Sequence, residues 1–160
     1  MLLSFFQWLE QNGLIGWIGQ SLIISIIFEV THYFSFFIFI GGVVLIDLRL
    51  LGIAARTQTP TQLADRIFPW VWVTFSLNFI TGFFMLSTDA VQFYSNVPFR
   101  VAMVIVALAV VFTVILQRNV RKWDQPEIPA AAKIVAVLSI VLWLGSILAS
   151  VEVPSITNVG

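Results

Sequence analysis

The chain has 160 residues, of which 59% are hydrophobic and 10% charged, with no cysteine and a formal net charge of zero. With a mean hydropathy of +1.00 it lies far from soluble domains, where about 25% of residues are charged, and it reads as an integral membrane protein. The absent cysteines exclude disulfides, iron–sulfur clusters, thiolate zinc sites and thiol nucleophiles, and the neutral balance argues against nucleic acid as a partner.

No Lys or Arg precedes Arg49, so the chain start lacks the basic region of a cleaved signal peptide and is expected to stay on the mature protein. Between Leu2 and Asn12 the apolar residues Leu2, Phe5, Phe6 and Leu9 recur at helical spacing, with Gln7, Glu10 and Gln11 between them and Gly13 as a stop. This pattern predicts an amphipathic helix lying on the membrane surface within an interfacial segment 1–20, anchored by Trp8. Four apolar runs follow, at about 21–46, 68–87, 99–116 and 130–151, each near the roughly 20 residues that a spanning helix needs. The fold class is therefore all-α: a four-helix transmembrane bundle with an N-terminal interfacial helix, forming a single membrane domain over residues 1–160. The first run is the longest and is expected to tilt or project at its Asp47-Leu48-Arg49 end. Trp17, Trp70, Trp72 and Trp123 fall near span ends and read as interfacial aromatics.

Basic residues predict the orientation. Arg49, Arg56 and Arg66 flank the first connection and Arg118, Arg121, Lys122 and Lys133 the third, leaving Arg100 as the one basic residue elsewhere. The positive-inside rule then places those two connections in the cytoplasm and both termini in the periplasm of a bacterial inner membrane.

Each span carries a small or polar stripe. Ser21, Ser25, Glu29, His32 and Ser35 share one arc of the first, and Thr74, Asn78 and Thr81 one face of the second. The third offers Ala102, Ala109, Thr113 and Gln117, and the fourth Ser139, Ser146 and Ser150 with Trp143 nearby. Such stripes let membrane helices approach closely and hydrogen-bond, so they are expected to line the interior. An ionisable pair at membrane depth is a functional-site hypothesis by default. Glu29 and His32, three residues apart and so on one helix face, are expected to meet Asn78 near the midplane in a polar bundle centre. No metal site is expected: a di-iron bundle needs two Glu-x-x-His motifs and further carboxylates, and the later spans supply no acid. A hydrolase triad, a P-loop and a dinucleotide fingerprint are absent, so no catalytic residue is assigned.

Glu29-x-x-His32, Gly41-Gly42, Asp47-x-Arg49-Leu50-Leu51-Gly52, Pro69-Trp70-x-Trp72, Thr81-Gly82, Tyr94-x-Asn96-x-x-Phe99, Trp123-Asp124 and Leu142-Trp143 follow one another along most of the chain. In this order they resemble an uncharacterised family of small bacterial membrane proteins, itself loosely similar to four-helix membrane cytochromes. In that family the position of Gln117 is often His and that of Ala102 often Lys; the resemblance implies no activity. The leading expectation is a non-catalytic membrane subunit or scaffold of the kind that packs beside a larger respiratory or redox complex, with lipid and other membrane subunits or copies of itself as partners and no cofactor. The alternatives are a haem b electron-transfer protein that uses His32 as ligand, and passage of protons or a small solute past Glu29 and His32.

Overall fold

The computed structural model describes residues 2–13, 15 and 21–157, and the side chains of 3–13, 15 and 21–149. Trp17 and most of segment 14–20 lie outside the described residues, as does the Ser150 side chain. Six helices are described: α1 (Leu2–Glu10), α2 (Leu22–Leu50), α3 (Pro60–Thr88), α4 (Ala90–Ser95), α5 (Val97–Asn119) and α6 (Ala130–Thr157). Four of them, α2, α3, α5 and α6, are long and apolar enough to cross a membrane, so the fold is the expected all-helical four-span bundle. The helices outrun the apolar stretches because local signals end them. α2 stops in a Schellman turn, with the Ile53 amide on the Leu48 carbonyl, the Gly52 amide on the Arg49 carbonyl and Gly52 at φ +74°.

The start of α3 is fully accounted for. Pro60 needs no amide partner; the Thr61 amide donates to Asp124, the Gln62 amide to the Thr59 hydroxyl, and the Leu63 amide to the Thr59 carbonyl. Gln62 closes the capping box by accepting from the Thr59 amide. At α5 the Asn96 side chain accepts from the Phe99 amide at 2.9 Å, which explains the Asn96-x-x-Phe99 spacing.

Packing is by pairs. α2 lies along α3, α5 lies along α6, and the two pairs join through α2 and α6; α3 and α5 share no comparable interface. Small residues set the approach: a Cβ at Gly42 would come within 2.9 Å of Val71, while Ala102, Ala109, Ala132 and Ala136 are buried on α5 and α6. Trp143 is the bulky exception, 1% exposed. It stands edge-on to Phe39 of α2 at 4.7 Å and donates its indole N–H to Thr113 of α5 at 3.2 Å. One side chain thus ties three helices together. α1 packs on α4 through Leu9 and Ala90 and through Phe6 against Tyr94, which puts the N-terminal helix on the same face of the bundle as the second connection.

Asp47, at the far end of the first span, is wholly buried, on the α2 face of Val43, Ile46 and Leu50 that meets α6. One expectation changes. Gln117, assigned to an interior stripe, is exposed and accepts the Trp72 indole N–H at 2.9 Å, linking the otherwise separate α3 and α5.

Candidate functional site

His32 and Asn78 meet, with Thr81 as a third member. His32 Nδ1 lies 3.0 Å from the Asn78 carbonyl and 3.2 Å from the Thr81 hydroxyl. The Asn78 carbonyl can only accept a proton from Nδ1, whereas the Asn78 side-chain amide, 3.2 Å from the same nitrogen, can only donate to it, so the seat offers Nδ1 a partner in either neutral tautomer. The Asn78 amide returns a bond to the His32 carbonyl at 2.9 Å. Gly82 makes the approach possible, since a Cβ there would stand 2.8 Å from His32 Cε1. The Thr81-Gly82 step is therefore half of the histidine's seat: one residue bonds the ring and the other leaves it room.

Glu29 is not part of this centre. It is exposed, and among the described residues no hydrogen bond or ion pair joins it to His32. At 100° per residue, the two side chains diverge by about 60° around the axis, and α3 receives only the imidazole. Glu29 instead lines an open cavity of about 230 Å³ with Ser25, Phe28, Phe84, Met85, Thr88, Asp89 and Phe93. That cavity lies at the α3–α4 junction, so Glu29 belongs to the end of the bundle and not to its middle. His32 is deeper: Asn78 lies twelve residues beyond Arg66, about 18 Å along the helix.

A second polar cluster escaped the sequence reading. At the other end of α2, Arg49 donates from Nε to the Gln58 carbonyl, and Asp124 accepts from the Thr59 hydroxyl at 2.8 Å and the Thr61 amide at 3.3 Å. Partial burial pushes the Asp124 carboxyl up, but bonds from Thr61 and Thr59 and the Arg49 charge outweigh it and hold the group below the ordinary carboxylate range. Asp47 and Ser139 are both fully buried between α2 and α6. The spacing of Val43, Ile46, Asp47 and Leu50 on one face could have shown Asp47 to be interior.

The Asp124 clasp has a pH signature. A depressed folded-state value means that its contribution is present above the unfolded value of about 4 and fades as pH falls through the folded one. Asp124→Ala is expected to lower stability at neutral pH by about 1 kcal/mol, mostly from the unpaired Thr61 amide, because a charge so open to solvent adds little. Unfolding of both proteins across pH checks this: the gap between them should narrow in acid.

Among the described residues no three His, Cys, Asp or Glu side chains group as a metal would require. No curated protein and no solved structure matches the chain. The model of one family does match, over residues 5–152, which takes in the His32–Asn78 centre, the Asp47 face and the Asp124 clasp alike; the chain belongs to this family of unknown function, DUF6644.

Proposed function

We propose that this protein is a non-catalytic subunit or scaffold of a bacterial inner membrane, packed beside other membrane subunits of a larger complex, such as a respiratory one. One observation carries the reading: His32 ties α2 to α3, while much of the remaining α2 surface is left uncovered by the chain itself. Tyr33, Phe34 and Phe37 are 51%, 68% and 67% exposed, and neither α5 nor α6 covers them. The reading places both termini in the periplasm, since seven of the eight basic residues flank the first and third connections.

Photoreactive side chains at Phe34 and Phe37, introduced in native membranes, test it. A discrete protein adduct of fixed stoichiometry is expected from these positions, and lipid adducts alone would refute a subunit role. Cysteines at Gln11 and Ser95 should label from outside intact cells and one at Gln58 should not.

A second reading, haem b electron transfer through His32, is favoured by the imidazole itself. Its Nδ1 lies 3.0 Å from a backbone carbonyl, and in the tautomer that donates to this carbonyl Nε2 is left as acceptor, the arrangement that orients a histidine toward a metal. A pyridine haemochrome assay decides. One haem per chain or per two chains, lost in His32→Ala, would put this reading first.

A further inference from the structure

Asp47 stands near the end of α2 with nothing to balance it. It is wholly buried, and neither carboxyl oxygen has a hydrogen-bond partner. The side chain that interacts with it across the α2–α6 interface is Ser139, whose hydroxyl is equally buried and equally unpartnered, outside ordinary hydrogen-bond geometry. Among the described residues no cation pairs with the carboxyl. Arg49, two residues on, turns to the Gln58 carbonyl, Arg121 pairs with Asp65, and Arg118, Lys122 and Lys133 are exposed. The rest of the surroundings is apolar: Val43, Ile46 and Leu50 on α2, and Ala132 and Ala136 on α6.

A bare carboxylate in such a place is costly enough that it takes up a counter-charge or gives up its own. The donor set chooses between the two. A hard metal cation wants about six oxygen ligands, and this interface offers one carboxyl and one hydroxyl. A proton needs a single acceptor, and Ser139 Oγ is the buried oxygen across the interface that can be one. We propose that Asp47 and Ser139 form a proton-binding site inside the bundle, in which the neutral Asp47 carboxyl donates its O–H to Ser139 Oγ. The site sits apart from His32, on the α2–α6 contact that joins the two helix pairs. It does not depend on the scaffold reading.

Infrared spectroscopy of the full chain in phosphatidylcholine vesicles tests this, with aspartate carrying a ¹³C-labelled side-chain carboxyl. The chain contains Asp47, Asp65, Asp89 and Asp124. At neutral pH one protonated-acid C=O band per chain is expected, isotope-shifted, absent in Asp47→Asn, and moved toward the frequency of an unbonded acid in Ser139→Ala. Should Asp47→Asn fail to fold, the Ser139→Ala shift still assigns the band. Four ionised aspartates at neutral pH would overturn the proposal. So would a band that Ser139→Ala leaves unmoved, or one that vanishes when sodium replaces choline in the buffer, which would give the site to a metal cation.

Discussion

Trp143→Ala is expected to be the most damaging single truncation in the bundle, lowering stability by about 3–5 kcal/mol. The indole is 1% exposed and touches both neighbouring helices at once, edge-on to Phe39 and bonded to Thr113. Its removal opens a void where α2, α5 and α6 converge, and lipid cannot enter to fill it. In a membrane the helices are held by packing and hydrogen bonds and not by escape from water, so lost contacts are not offset by any gain in lipid exposure. Two further variants divide the loss. Trp143→Phe keeps most of the ring and the contact with Phe39 while giving up the N–H, and should cost about 1–2 kcal/mol; Thr113→Val leaves the indole N–H buried and unpaired, at about 1–3 kcal/mol. Denaturant titration in mixed micelles measures all three. A Trp143→Ala protein as stable as the wild type would mean that α6 does not seat between α2 and α5 as described.

Gly82→Ala is expected to cost about 2–3 kcal/mol, the upper part of the usual range for overpacking, from one added methyl. That methyl would stand 2.8 Å from His32 Cε1 and 3.2 Å from Nδ1, and the ring cannot swing away without giving up its bonds to Asn78 and Thr81. Gly41→Ala is the control, with nothing within 4 Å of the new atom; it should be neutral, or stabilising by up to about 1 kcal/mol through helix propensity. The pair Gly82→Ala and His32→Ala should lose less than the sum of the single changes, since the methyl takes the space that the imidazole leaves. Additive losses would show that glycine and histidine do not share one site. The same variants bear on function: if His32 ligates haem, Gly82→Ala should also change the absorption spectrum.

The sequence by itself determined what depends on counting along the chain. Run lengths yielded four spans and helical spacing the N-terminal helix, because solvation of the backbone and burial of one helix face are local demands. The same spacing identified the interior faces of α3, α5 and α6, where Thr74, Thr81, Ala102, Ala109, Thr113, Ser139, Trp143 and Ser146 are all buried. It also brought His32 to Asn78, since equal depth and facing stripes leave few other pairings. The tertiary structure decided what depends on which helix lies beside which. Glu29 and His32 share a stripe on α2, yet α3 accepts only the imidazole and leaves the carboxylate at an open cavity. Asp47 shares its helix face with Val43, Ile46 and Leu50, and the packing of α6 is what buries it there. Gln117 falls in register with its stripe, yet it is exposed and accepts the Trp72 indole N–H from α3. A helical wheel assigns each residue an angle, and the neighbour at that angle decides whether it meets a partner, the bundle interior or the open surface.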